Sequence, residues 1–315
     1  MRDFTPGAIR DFISDKLREH LQANPENFLF NELALQMFVA RTLEDEFNSE
    51  EFKVHLEYSL PIDWNMTFKN GYSSWKTETP YIDIVLEKKG KDGKSPEYVA
   101  IELKYKLGDI PLPKDGTFLR FGEEPSPECK SGLVKNHGAQ DEGRYDFWKD
   151  VKRIELLSQA FKNIIGGISL LLTNDKYYTE TNEGCKYSAF GFKDNMKAGL
   201  LFWNNNSSRC KSLPMCMRGD EFFINKFPKL VSLSTLPRKE IKCGDYEHCK
   251  ICGEKFNKSK DGIERPNFSL TNGYKGEWFP AKGGFEDAMN NTFYCYSVVI
   301  PKWESKDERN EADVN

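Results

Sequence analysis

No stretch of about 18 consecutive apolar residues occurs in the 315-residue chain, so no membrane-spanning helix is expected. The opening residues, Met1-Arg2-Asp3-Phe4-Thr5-Pro6, lack the apolar run of an export leader. The eight cysteines have no regular framework. Five fall between positions 210 and 252, a distribution that suits reduced thiols or metal ligation better than disulfides. These absences together lead to the expectation of a cytoplasmic protein with no membrane partner. Positive charge is not in excess either: the formal net charge is -4 and the pI is near 5.8. Nothing therefore attracts nucleic acid globally, and any such site must depend on a local basic patch and on cations. No internal repeat is found.

What is present describes a folded chain. Hydrophobic residues make up 38% and charged residues 30%, with 23 Phe and 13 Tyr, a mixture that suits a globular protein with an aromatic-rich core. The length allows one large domain, or a core domain with an appended lobe. Thr5-Pro6 is a helix-start signal, and Ile9, Phe12, Ile13, Leu17 and Leu21 follow at helical spacing. Asn24-Pro25-Glu26 repeats that signal. Leu29, Phe30, Leu33, Met37 and Phe38 predict a second helix to about Phe47, with Glu32 and Gln36 sharing a face. Strands are predicted at Phe52 to Leu60, Tyr81 to Lys88 and Tyr98 to Lys106. The last two are joined by the hairpin loop Lys89-Gly90-Lys91-Asp92-Gly93-Lys94 and should pair antiparallel. Gly108 to Gly138, with four prolines and five glycines, reads as a long loop able to act as a flap. A helix is predicted from Asp141 to Lys162, with Phe147, Val151, Ile154 and Phe161 inward. A buried strand follows at Ile168 to Thr173. Beyond Asn174 only short strands are read, at Leu200 to Trp203, Glu221 to Ile224 and Phe293 to Ile300.

Chemistry concentrates on two of these strands. In Tyr81-Ile82-Asp83-Ile84-Val85-Leu86 the two-residue period puts Ile82, Ile84 and Leu86 on one face and Asp83 on the other. The same rule in Tyr98 to Lys106 separates Val99, Ile101, Leu103 and Tyr105 from Glu102, Lys104 and Lys106. A carboxylate amid the β-branched residues of a central strand is costly unless it is paired or binds a cation. Asp83 and Glu102 side by side, with open coordination positions, suit Mg2+ or Mn2+. Such an ion polarises phosphate and helps ionise water, while the Lys104 ammonium orients or deprotonates that water or neutralises developing charge.

Asp83 followed by Glu102-Leu103-Lys104 resembles the signature of the PD-(D/E)XK, restriction-endonuclease-like nuclease superfamily. The resemblance covers roughly Asn24 to Thr173. Pro80 departs slightly, standing three residues before Asp83 rather than next to it. The resemblance implies a restriction-endonuclease-like α/β core in αβββαβ order, with a mixed central sheet and flanking helices. It also implies metal-dependent phosphodiester hydrolysis, with the Leu103 carbonyl as a further metal ligand and Glu32, whose own position reads first as a first-turn acid complementing the helix dipole, as an added acid from the preceding helix. In this superfamily the helix after the long loop often carries polar residues that support the lysine or touch phosphate, positions held here by Gln140, Arg144 and Tyr145. Lys149, Lys152 and Arg153 are read as a solvated basic face, with a phosphate track as the alternative.

Cys249-Lys250-Ile251-Cys252-Gly253 has the form of a zinc knuckle, with Cys243 as the expected third ligand, set against free thiols near a turn. The chain is thus read as a nuclease core with N-terminal helices at 1–175, a less regular C-terminal lobe at 176–303, packed on the core and a candidate for stapling by structural Zn2+, and a charged tail at 304–315. The expected activity is metal-dependent cleavage of nucleic acid, DNA by preference, in a restriction or mobile-element defence setting, with a homodimer as the assembly considered. The alternatives are a catalytically silent nucleic-acid-binding protein of the same fold and a zinc-stabilised interaction module.

Overall fold

The computed structural model describes residues 3–23, 29, 31–60, 81–91, 93–110, 137–138, 140–179, 191–192, 195–196, 199–201, 268–282 and 292–303. The Gly108 to Gly138 loop, for the most part, lies outside them. So do the strand expected at Glu221 to Ile224, the tail from 304, and Cys243, Cys249 and Cys252.

Helix α1 (Pro6–Ala23) starts where Thr5-Pro6 directs, with the Thr5 hydroxyl accepting from the Ala8 N–H at 3.3 Å. Its buried stripe is Ile9, Phe12, Ile13, Leu17 and Leu21, the five residues whose spacing marks the helix in the sequence. Helix α2 (Glu32–Glu46) begins later than the Asn24 signal indicates. Asn31 caps it instead, its side chain accepting from the Ala34 N–H at 2.8 Å. The inward face of α2 also differs from the expected one. Leu35, Gln36, Val39, Ala40 and Leu43 are buried, whereas Leu33 and Met37 are exposed at 64% and 37%. Both sets have helical spacing, and the buried one is disguised by a polar residue, Gln36, which has its own work below.

Strands β1 (Phe52–Ser59), β2 (Tyr81–Lys88) and β3 (Glu97–Lys106) form an antiparallel meander. The chain crosses through helix α3 (Gln140–Ala160) to β4 (Ile164–Thr173), which lies parallel to β3. The C-terminal half then adds β5 (Asn195–Met196), β6 (Gly199–Leu201), β7 (Phe268–Leu270), β8 (Tyr274–Lys282) and β9 (Thr292–Pro301). The main sheet has the order β1-β2-β3-β4-β9-β8-β5, with β6 and β7 paired separately. The fold is therefore mixed α/β, and strands from beyond residue 175 extend the same sheet through the antiparallel β4–β9 pair.

Two cores result. Helices α1 and α2 cover one face, meeting Ile84, Leu86, Val99, Ile101, Leu103, Tyr105, Ile168, Leu170 and Leu172. Helix α3 covers the other with Phe147, Trp148, Val151, Ile154 and Leu157 over Val85, Ala100, Leu171 and Tyr296. Each fully buried aliphatic contributes about 1.5–3 kcal/mol, so both cores are substantial. Close packing of α3 requires Gly167, where a Cβ would meet the Ala100 carbonyl oxygen at 2.4 Å and Ile154 at 2.7 Å. No helix among the described residues is long and apolar enough to cross a membrane.

Candidate functional site

The site arises from a strand that leaves its neighbour. Strand β2 pairs with β3 from Lys88↔Glu97 to Ile84↔Ile101, and the pairing stops there. Asp83 is the next residue. On its other side, the β1–β2 ladder has no rung between Leu56↔Ile84 and Tyr58↔Ile82, and the residue opposite Asp83, Glu57, takes a left-handed φ of 50°. Alternation breaks here too. Ile84 and Leu86 face the α1–α2 core, but Ile82 joins the α3 core, so the three do not share one face as the two-residue period predicts.

Strand β3 continues against β4 as far as Lys106↔Thr173, leaving N–H groups of its other edge without a strand to meet. Two carboxylates take that strand's place. Asp83 Oδ2 accepts from the Leu103 N–H at 2.6 Å, and Glu32 Oε2 accepts from the Tyr105 N–H at 3.0 Å. Gln36 Nε2 secures the opening by donating to the Asp83 carbonyl and to Glu57 Oε1, each at 2.7 Å. Because a β residue points its N–H and C=O to the same edge, the Leu103 carbonyl opens into this gap as well.

On the α3-facing side of β3, Glu102 is 1% exposed and its Oε1 accepts from Arg153 Nη1 at 2.5 Å. Arg153 also lies 3.3 Å from Asp150 Oδ1, and Lys104 Nζ is 2.9 Å from Asp150 Oδ2. Lys104 Nζ further donates to the Leu103 carbonyl at 3.3 Å. Asp150 and Arg153 are three apart on α3, so one helical turn holds both.

Asp83 is pushed up to about 6, chiefly by burial, with Lys104 and the Leu103 N–H opposing and Asp150 and Glu32 adding to the rise. Burial raises Glu102 well above the usual carboxylate range, against Arg153 and with help from Asp150 and Asp83. Burial would lower Lys104, but Asp150, Glu32, Glu102 and Asp83 outweigh it and hold the ammonium charged. For Asp150, burial is outweighed by Lys104, Arg153 and Lys149, which hold the carboxyl low. These couplings join four carboxylates, Glu32, Asp83, Glu102 and Asp150, to three cations, Lys104, Lys149 and Arg153.

The residues expected from the sequence thus fall into groups. Asp83 and Glu32 meet the free edge of β3 at the gap, while Glu102 and Lys104 meet Arg153 and Asp150 of α3. Gln140 instead donates to Asp175 Oδ2 at 2.9 Å at the start of α3, and Tyr145 is packed in the α3 core with 1% exposure. Nor is the basic side of α3 a solvated face. Lys152 is buried on Glu155 at 2.9 Å, and Arg153 reaches the sheet. Asp150 and Arg153 are the two members of the cluster that sequence reasoning did not place in it. Their signal was adjacency to the inward stripe Phe147, Val151 and Ile154. Ser169, in register with Glu102 on β4, is fully buried, and its Oγ has no hydrogen-bond partner among the described residues.

Among the described residues no group of three or more His, Cys, Asp or Glu side chains is arranged to hold a metal. The one described cysteine, Cys295, is buried in the α1–α2 core, and burial pushes its thiol up. Comparison of the chain with family models, with curated proteins and with solved structures finds no match in any of the three.

Proposed function

We propose that this protein is a divalent-metal-dependent nuclease of restriction-endonuclease-like organisation, hydrolysing phosphodiester bonds of nucleic acid, DNA by preference. The observation that carries the reading is the place of Asp83, at the point where β2 parts from β3, with its carboxylate on the N–H of Leu103, the residue between Glu102 and Lys104. The element order from α2 to β4, helix, three strands, helix and a strand parallel to the third, supports it. The donor set fits magnesium, which takes oxygen ligands from one or two carboxylates and fills the rest with water and substrate oxygens. Asp83, Glu102 and the Leu103 carbonyl would hold it, and a preformed cage of three side chains is not required. When bound, the ion would polarise the phosphate and make water easier to ionise.

The chain's own groups divide the remaining work. Lys104 is kept protonated by Asp150 and its neighbours, which makes it a poor base and suits it to neutralising charge on the phosphate oxygens as the reaction proceeds. Asp150 aims that ammonium. The Leu103 N–H fixes Asp83, and Gln36 fixes the backbone behind it. Arg153 sits on Glu102 as a cationic partner, and its guanidinium is suited to a phosphate once another cation takes the carboxylate.

The same Arg153–Glu102 pair favours a second reading, a silent nucleic-acid-binding protein whose cluster neutralises itself. Incubating plasmid and single-stranded substrates with magnesium, manganese or EDTA separates the two. Cleavage that requires the metal and is lost in Lys104→Ala supports the nuclease. Binding without cleavage in any metal sinks it.

A further inference from the structure

A cavity of about 320 Å³ lies under the C-terminal end of α3, lined by Tyr58, Ile82, Tyr98, Leu157, Phe161 and Asn163 among others. Its lining residues neighbour those of the ionic cluster along β2, β3 and α3. On β3, Tyr98, Ala100, Glu102 and Lys104 follow one another along the α3-facing side. On α3, Leu157 stands one turn beyond Arg153, and the Phe161 N–H caps that turn on the Leu157 carbonyl at 2.9 Å. The cavity therefore begins one step past the Glu102–Arg153 pair, with Ile82, the residue before Asp83, in its wall. Two strand residues advance about 6.6 Å. That is the scale separating a phosphate from the base of its own nucleotide.

The lining matches a base in chemistry. Three aromatic rings offer stacking surfaces, Leu157 and Ile82 close the sides, and Asn163 brings an amide able to pair with a base edge. The Tyr98 N–H donates to the Asn163 carbonyl at 2.9 Å, so two of these residues are fixed to each other in advance. The volume falls at the lower end of the roughly 300–1,000 Å³ typical of small-molecule sites. One flat ring system fits in this volume.

Building on the nuclease reading, we propose that this cavity receives a single unstacked nucleobase of the strand whose phosphate lies at Asp83 and Glu102. A base paired within a duplex must first be extracted, at a cost that is least for single-stranded or distorted DNA. The substrate class follows: single strands, frayed ends or distorted duplexes are preferred over intact duplex.

The test uses the full chain and a labelled single-stranded oligodeoxynucleotide, with a blunt duplex of the same sequence beside it. Binding is followed by fluorescence anisotropy with calcium in place of magnesium. The single strand should bind more tightly than the duplex. Tyr98→Ala, which removes a stacking ring, and Ala100→Leu, which fills the cavity from the sheet side, should each lower single-strand affinity roughly 5- to 150-fold. Tyr98→Phe should restore it, and melting temperatures show which variants remain folded. A folded Tyr98→Ala protein that binds the single strand as wild type does would overturn the proposal. Its failure is distinct from that of the underlying reading. Tyr98-dependent binding by a wild type that cuts nothing with magnesium removes the nuclease and keeps the base site. Cutting by wild type and Tyr98→Ala alike removes the base site alone.

Discussion

Lys104 shows how one side chain can serve both stability and chemistry. Its place on the polar side of β3 in the sequence pattern suggests that truncation would leave the fold untouched. In the structure its ammonium is the closest partner of Asp150, which is 1% exposed, so removal strips a buried carboxylate of one of the two cations in ion-pair contact with it. Lys104→Met is therefore expected to lose about 1–3 kcal/mol in denaturant unfolding, because Arg153 still covers Asp150. It should also slow cleavage by about 100- to 1,000-fold, the usual effect of deleting one electrostatic donor to a transition state. The double variant Lys104→Met/Asp150→Asn should recover part of the stability and none of the rate, and full additivity of the two stability losses would show that the pair is not coupled. Asp83 makes the opposite kind of statement. Its folded value of about 6 lies above the reference 3.8, so the folded state binds more protons than the unfolded one between those values. The linkage sign then gives a contribution that falls as pH rises from about 4 to 6 and is flat above, a loss of at most about 3 kcal/mol in metal-free protein. Asp83→Asn keeps an acceptor for the Leu103 N–H and removes the titration. In EDTA its stability relative to wild type should climb across that window, and parallel pH profiles for the two proteins would refute the assignment.

Among the elements, α3 carries the most. It brings Asp150 and Arg153 to the sheet, roofs the aromatic cavity, and through Glu155 clamps the turn before β8. Glu155 is 1% exposed and accepts from the backbone N–H groups of Thr271 and Asn272, from the Tyr274 hydroxyl at 2.5 Å and from Lys152 at 2.9 Å. Glu155→Ala should leave the Thr271 and Asn272 N–H groups and the Tyr274 hydroxyl without this acceptor and the buried Lys152 ammonium without its carboxylate, costing about 3–5 kcal/mol in urea unfolding. A loss below 1 kcal/mol would mean that the turn is held by something else. The elements also show what the sequence makes legible. Strands β2 and β3 could be read because period-two alternation and a glycine-containing loop leave little choice of register. Helix α2 was displaced because Leu33 and Met37 satisfy the same spacing as Leu35, Val39 and Leu43, and only the neighbouring strands choose between them. Strand β8 was missed because Gly276 and Pro280 punctuate it. Pro280 is tolerated where β8 has β9 on one side and, among the described residues, only the two-residue β5 further along the other.

At the scale of the whole molecule, an acidic chain gathers buried carboxylates and cations where β2 parts from β3 in a mixed sheet. Asp83, Glu102 and Lys104 were legible as a group because alternation on two adjacent strands puts all three near one place. Arg153 and Asp150 were not, because pairing between a helix and a strand 51 residues apart leaves no local pattern, and charged positions beside an apolar stripe look solvated. The break in alternation at Asp83 was equally hidden, since it depends on Glu57 adopting a left-handed φ across the ladder. The central claim is that this gap holds a divalent ion, and isothermal calorimetry of metal-free protein with manganese tests it most directly. The account expects one ion bound per chain, with binding lost in Asp83→Ala and Glu102→Gln while both variants stay folded. No binding by wild type, or binding that both variants retain in full, would contradict it.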